Sequence, residues 1–458
     1  MALRNFSFLI SCSLCLLLSC SVTKKISKQA NTILLNDTAV STGHIGISIY
    51  EPATNKYWYN YNGTHYFIPA SNTKLFTLYA GMKYLGDSLV GIRYQNFGNT
   101  LVIYPAADPT FLHKDFLEQP VVKFLQNSKE SEVVLELNKK DFFRKYGAGW
   151  SWNDYNESYM TERSRFPFYG NTIQVIINKD YSISTVPKFN VTPPAIALTE
   201  KEYDFAGADN IFRPYTNTNF IIINKDKTKP GIYSIPFTNY SYSIPLQVEG
   251  LIPYADTIHK NINVYVDDKY RKGDSLKYNR ASAVKKIYSQ PSDSLFKPMM
   301  HQSDNFFAEQ TLLMASNEYL GFMSDEKMID TMLKSSLKDL PQRPRWVDGS
   351  GLSRYNLFTP NDFVYLLNKM KNEFGLERLK VILPAGNEGT LRNYYVKDAS
   401  FIYAKTGTLS NNCALSGFLV TKHGKLLIFS ILANNYITGA TPVRRAVERF
   451  LQNISDNY

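Results

Sequence analysis

The sequence predicts an α/β fold of the segregated α+β kind: an antiparallel sheet with helices, interrupted by a large β-rich insertion. Three observations predict it. Near the start, Ile45, Ile47 and Ile49 alternate, Pro52-Ala53-Thr54-Asn55 turns the chain, and Lys56 to Tyr59 returns, the pattern of a hairpin with one buried face. Near the end, Phe401 to Ala404, Ala414 to Val420 and Leu426 to Ala433 read as three more strands, followed by a helix that opens at Pro442 and carries Val443, Ala446, Val447, Phe450 and Leu451. Between these two halves the chain is far longer than one helical layer needs, so a separate body is inserted there.

The elements follow in order. Residues 1–19 read as an export signal, with Arg4 ahead of the apolar run Phe8 to Leu18. The run is too short to span a bilayer and is expected to be removed. It closes on Leu17-Leu18-Ser19-Cys20, which resembles a lipobox and makes Cys20 the expected lipidation site and first mature residue. Residues 20–40 are polar and lysine-containing, and are expected to be a lipidated tether. Residues 41–95 form the first part of the main domain. They include Leu75, Leu78, Met82 and Leu85 at helical spacing before the stop at Gly86. Residues 96–275 are the insertion, with strands expected at Leu101 to Tyr104, Val133 to Leu137, Ile173 to Asn178, Phe220 to Asn224 and Asn263 to Val266. Residues 276–458 complete the main domain.

Composition excludes several classes. Cys12 and Cys15 leave with the signal and Cys20 is committed to lipid, so Cys413 alone remains and no intrachain disulfide forms. The histidines are scattered without a His-Glu-x-x-His pattern, which argues against a metal site or any cofactor. The formal net charge of +11 favours anionic neighbours such as lipid headgroups or cell-wall polymer, and no aromatic-basic pattern suggests nucleic acid.

Three short motifs carry the chemistry. Ser71-Asn72-Thr73-Lys74 stands at the start of the first helix, so Ser71 and Lys74 share a helix face and the lysine can approach the serine hydroxyl. Ser-x-x-Lys is common here, recurring for instance at Ser282/Lys285 and Ser335/Lys338, and only the helix start selects Ser71. Ser303-Asp304-Asn305 stands where a loop enters a helix continued by Phe306, Phe307, Gln310, Leu313 and Met314. Lys405-Thr406-Gly407 occurs once and lies on a strand. A serine nucleophile needs a base within reach, and Lys74 serves only if burial and a second cation lower its affinity for a proton. Lys405 is the candidate for that cation.

The ordered trio resembles the active-site motifs of penicillin-binding proteins and serine β-lactamases. The resemblance extends to Asp108-Pro109-Thr110, Ser303 to Gln310, Asp348-Gly349-Ser350-Gly351-Leu352-Ser353-Arg354, Glu388-Gly389-Thr390-Leu391 and Lys405 to Ser410. On these blocks the chain resembles the class C low-molecular-mass penicillin-binding proteins, the D-alanyl-D-alanine carboxypeptidase/endopeptidase family. The resemblance implies a β-lactamase/transpeptidase-like serine hydrolase fold that acts on peptidoglycan stem peptides through an acyl-enzyme on Ser71, with β-lactams as covalent inhibitors. It implies catalytic roles for Ser71, Lys74, Ser303, Asn305 and Lys405. Asn305 is expected to fix Lys74 and the substrate amide. Thr406, Gly407 and Thr408 are expected to bind the substrate, and the loop from Asp348 to Arg354 to support the site. A periplasm-facing membrane lipoprotein, held in the outer membrane, is the implied location. A serine β-lactamase or esterase, and a catalytically silent β-lactam sensor or wall-binding lipoprotein, are the alternative readings. Intact motifs argue against the silent reading, and the long insertion against the lactamase.

Overall fold

The structure is a computed structural model that describes residues 22–186, 196–199, 211–213, 216, 219–224, 228–238, 261–265 and 284–458. The export signal and Cys20 lie outside the described residues. The chain divides into two compact units. The first takes the chain up to Tyr79 with Lys297–Ser303 and Met332–Tyr458, and the second takes Ala80–Phe296 and Asp304–Thr331. In chain order the elements that matter for the site are α1 (22–30, continuing as a π-helical turn at Asn31–Leu35), β1 (His44–Glu51), β2 (Lys56–Tyr61), α2 (Lys74–Tyr84), α3 (Asn305–Leu320), α4 (Pro360–Phe374), β3 (Ile402–Leu409), β4 (Asn412–Val420), β5 (Leu426–Asn434) and α5 (Ala440–Asn457).

The first unit is built on one five-stranded sheet in the order β3-β4-β5-β1-β2, antiparallel throughout. Successive side chains on a strand point to opposite faces, and here the two faces differ in size. On one face Ile45, Ile47, Ile49, Leu415, Phe429 and Ile431 form an apolar layer beneath Val443, Ala446, Val447, Phe450, Leu451 and Ile454 of α5. Each such side chain contributes about 1.5–3 kcal/mol on burial. On the other face two positions of β1 are small. Gly46 lies so close to Phe67 and Pro360 that a Cβ there would come within 2.5 Å of the Phe67 ring, and Ser48 Oγ donates to Asn361 Oδ1 of α4 at 2.9 Å. Phe76 of α2 fills the remaining space against Trp346, Phe358 and Phe363.

The segment expected to be a tether is folded instead. Ile26, Ala30 and Leu34 recur every four residues, are fully buried, and join the same core as α5. An apolar stripe at that spacing makes a packed helix rather than a leash. Beyond the helix, Arg449 Nη2 meets Asp37 Oδ2 at 2.6 Å and Thr438 Oγ1 donates to the Ala39 carbonyl at 3.1 Å, which holds the chain down as far as β1.

The second unit contains a five-stranded sheet in the order Asn261–Tyr265, Glu132–Glu136, Thr100–Pro105, Ser88–Phe97, Lys285–Pro291, together with two three-stranded sheets. The insertion therefore reaches further than its expected limits of 96 and 275. Its first strand starts at Ser88 and pairs antiparallel with Lys285–Pro291, and that pairing closes the sheet. Helix α3 belongs to this unit as well. Arg163, buried, bridges Glu309 of α3 at 2.7 Å and Asp325 at 2.9 Å, while Gln310 Nε2 donates to the carbonyls of Ala107 and Ser164.

One buried carboxyl gives the first unit a pH signature. Asp362 forms a capping box with Thr359 at the start of α4, and accepts from the backbone N–H groups of Thr359 and Gln342, both at 2.9 Å. Burial nevertheless pushes its pKa up to about 6 from 3.8. A carboxyl that holds its proton more tightly in the fold adds stability that is fully present below about pH 3.8 and lost as the pH rises through about 6. The shift corresponds to about 3 kcal/mol. In thermal melts Asp362→Asn is expected to flatten the pH dependence of stability between those limits. An unchanged slope would show that another group carries it.

Candidate active site

Ser71 sits in a 3-10 turn, Ala70–Thr73, that leads directly into α2. The residue before it, Ala70, is buried with φ at +48°, a left-handed conformation that costs a non-glycine residue about 1–3 kcal/mol. Three neighbours hold the turn. Thr73 Oγ1 donates to the Ala70 carbonyl at 2.9 Å. Asn72 Nδ2 donates to Ser416 Oγ at 2.7 Å, and that hydroxyl donates on to Ser430 Oγ at 2.8 Å. Gly407 of β3 and Gly351 approach the turn so closely that an added Cβ would fall 2.5 Å from the Pro69 carbonyl in one case and 1.9 Å from the Ala70 carbonyl in the other.

Lys74 Nζ donates to Ser71 Oγ at 3.1 Å and to the Ser350 carbonyl at 2.8 Å. The lysine is fully buried, and its shared face with Ser71 places nucleophile and base within proton-transfer reach. Ser350 belongs to the loop Asp348 to Arg354. There the Asp348 carboxylate accepts from the N–H groups of Gly351 at 2.9 Å and Ser353 at 2.7 Å, and from Asn356 Nδ2 at 2.7 Å. The loop is thus both a support and, through one carbonyl, a direct partner of Lys74.

Lys405 is the inward-facing residue of β3 and is also fully buried, with Nζ donating to Ser303 Oγ at 2.9 Å and to the Thr406 carbonyl at 2.7 Å. Burial holds its pKa well below the ordinary lysine range, and repulsion from Lys74 and then Arg444 lowers it further. Ser303 is itself held at φ +59°. Beside it, His301 is pushed toward its neutral form by burial and by Lys297 and Lys405, against the pull of Glu388. No group of three or more His, Cys, Asp or Glu side chains suited to a metal ion occurs among the described residues.

The first unit therefore brings together Ser71, Lys74, Ser303, Lys405, Thr406, Gly407 and Thr408. Asn305 belongs to the second unit as the first residue of α3, and there its Nδ2 donates to the Tyr159 carbonyl at 2.9 Å. Thr406, expected to face the substrate, is nearly buried and its hydroxyl donates to Thr390 Oγ1 at 2.7 Å. Thr408 is exposed, and its Oγ1 accepts from Arg444 Nη2 at 2.5 Å. Sequence reasoning missed Arg444, whose only signal was a basic residue in the first turns of a helix otherwise read for its apolar face. It also missed the Ser350 carbonyl, which no side-chain pattern announces.

The chain is similar to known proteins. A family model described as the D-Ala-D-Ala carboxypeptidase 3 (S13) family matches residues 27–209 and 263–457. The chain is 24% identical over 412 residues to the D-alanyl-D-alanine carboxypeptidase DacB of Haemophilus influenzae, covering 83% of each. Among solved structures it is similar to penicillin binding protein 4 from Haemophilus influenzae, with a TM-score of 0.68 at 21% identity over 94% of this chain and 98% of that one. The same protein complexed with a β-lactam gives a TM-score of 0.66 at 17% identity, covering 95% and 99%. These two likenesses establish the fold.

Arg444 supplies a direct test of the electrostatics. Removing a cation near Lys405 lets that lysine keep its proton to higher pH, so Arg444→Gln is expected to move the rising limb of the penicillin-acylation rate toward alkaline pH. It also removes the hydrogen bond to Thr408 Oγ1, so acylation at neutral pH is expected to slow. Acylation rates measured across pH for both proteins decide it, and an unmoved limb would mean that Arg444 acts only through Thr408.

Proposed function

This chain belongs to the D-Ala-D-Ala carboxypeptidase 3 (S13) family, and on that premise we propose that Ser71 carries out acyl transfer on peptidoglycan stem peptides ending in D-Ala-D-Ala, or on the cross-links made from them. It is a serine peptidase of the DD-carboxypeptidase/endopeptidase kind and binds penicillin, as its relatives' names describe for them. The observation that carries the assignment to Ser71 is the 3.1 Å contact from Lys74 Nζ, made where both site lysines are fully buried.

The steps follow from the residues. Ser71 Oγ attacks the carbonyl carbon of the penultimate D-Ala while its proton passes to the Lys74 amine. The negative charge that develops on the carbonyl oxygen is proposed to meet the backbone N–H groups of Ser71 and Thr408, each such donor being worth about 3 kcal/mol. The C–N bond then breaks, and the departing amine takes a proton through Ser303, whose hydroxyl is held by Lys405. The substrate carboxylate is proposed to lie near Lys405 and Thr408. An arriving anion favours the charged form of a nearby lysine, so binding draws onto Lys405 the proton that burial disfavours in the empty site. Asn305 is proposed to hold the substrate amide. Water finally hydrolyses the ester on Ser71 and releases the shortened peptide.

The anchor is the second part of the proposal: the exported chain carries lipid on Cys20 and resides as a lipoprotein on the periplasmic face of a membrane. The outer membrane is favoured because Ser21, rather than an inner-membrane retention aspartate, follows Cys20. The mass of the mature N-terminal peptide is expected to include acyl chains on Cys20, and an unmodified cysteine would end the anchoring proposal.

The catalytic proposal is tested with a fluorescent penicillin. Wild type is expected to be labelled covalently on the peptide that contains Ser71, and Ser71→Ala to lose the label while keeping its unfolding free energy within about 1 kcal/mol of wild type. Persistent labelling would place the nucleophile elsewhere, whereas fast multiple turnover of a chromogenic cephalosporin would favour the β-lactamase reading.

A further inference from the structure

Helix α1 has two faces of opposite character. Ile26, Ala30 and Leu34 are fully buried against the α5 side of the sheet, while Lys24, Lys25 and Lys28 are exposed. At about 100° per residue the three lysines cluster on the side of the helix opposite the buried stripe. Lys24 and Lys28 stand one turn apart, with Lys25 beside them. Within α1 no acidic side chain offsets them.

The second observation is how little chain separates this helix from the proposed lipid. Only Ser21 lies between Cys20 and Val22, which is already helical. Two residue steps span at most about 7 Å whatever path they take. Nor can the helix act as a detachable arm, because its buried stripe, the Asp37–Arg449 pair and the Thr438–Ala39 hydrogen bond fasten it to α5 and the segment before it.

We propose that the lysine face of α1 is a docking surface for anionic lipid headgroups, so that the enzyme is mounted directly against its membrane instead of hanging from it on a leash. The inference rests on the anchoring of Cys20 proposed above. Acyl chains buried in the bilayer bring the first turn of α1 to headgroup level, where Lys24, Lys25 and Lys28 meet phosphate charge. Each basic residue near an anionic leaflet strengthens binding by about fivefold, so three together give roughly a hundredfold. The attraction is screened by salt over about 10 Å at 0.1 M. The face of the sheet that bears α4 is the one turned away from this surface, which leaves Lys371 of α4 as an internal reference.

The experiment uses the full lipidated protein, reconstituted into vesicles of phosphatidylethanolamine with phosphatidylglycerol, into vesicles of phosphatidylcholine alone, and into detergent. Lysines are modified with an amine-reactive reagent and read by peptide mass spectrometry. In the anionic vesicles Lys24, Lys25 and Lys28 are expected to lose at least about fivefold in reactivity relative to detergent, with Lys371 unchanged. The protection should disappear in 0.5 M salt and in phosphatidylcholine. Lipid on the Cys20 peptide together with unprotected lysines in the anionic vesicles would overturn the docking surface alone. Protection equal in neutral and anionic vesicles would overturn the electrostatic basis. An unmodified Cys20 peptide in the same spectra would overturn the anchoring on which the inference rests.

Discussion

The site depends on how closely one backbone turn approaches a sheet. Pro69 to Thr73 is pressed between Gly407 of β3 and Gly351 of the Asp348 loop, and a single methyl group at either glycine would collide with its carbonyls. The approach is possible because, beside Lys405, three serines line the sheet there. Lys405, Ser416, Ser430 and Ser48 are cross-strand neighbours in one row over β3, β4, β5 and β1, all fully buried. Larger side chains in that row would lift the turn and take Ser71 with it. The left-handed backbone at Ala70 is the local cost, and the surrounding hydrogen bonds over-determine it.

The same proximity sets the charge state. Beside this row of serines, Lys405 donates to two neutral oxygens, Ser303 Oγ and the Thr406 carbonyl. Lys74 also donates to a hydroxyl and a carbonyl. Neutral acceptors stabilise a buried ammonium less than a carboxylate does, and the charges of Lys74 and then Arg444 add to the burial that lowers the Lys405 pKa.

Much of this was legible in the sequence. The alternating isoleucines of β1 have a period that a strand satisfies, the apolar runs of β4 and β5 are short and separated by a polar turn, and Ser71 with Lys74 is a three-residue spacing that any helical turn converts into contact. What escaped was contact made by backbone or by residues distant in sequence. The Ser350 carbonyl has no side-chain signature, and the Thr406–Thr390 hydrogen bond depends on a short helical turn folding back beside β3. The tether reading failed for a different reason. Lysine-rich composition outweighed the four-residue recurrence of Ile26, Ala30 and Leu34, whose apolar partners lie at the far end of the chain in α5. The limits of the insertion were set by a strand pairing, Ser88–Phe97 with Lys285–Pro291, that a linear scan does not see.

The second motif shows what the insertion adds beyond bulk. Ser303 ends a segment of the first unit, whereas Asn305 begins α3 in the second. Within that unit α3 is held by polar contacts that demand full pairing: Arg163 between Glu309 and Asp325, and Gln310 between two carbonyls. Buried ion pairs add little net stability, yet losing one partner strands a charge at a cost of about 3–5 kcal/mol. Such a network fixes register more than it strengthens the fold. The segment it fixes carries Tyr159, whose carbonyl takes the Asn305 Nδ2 hydrogen bond. An amide with its nitrogen committed in this way has its oxygen direction decided as well, so contacts within the second unit fix the orientation of the Asn305 side chain.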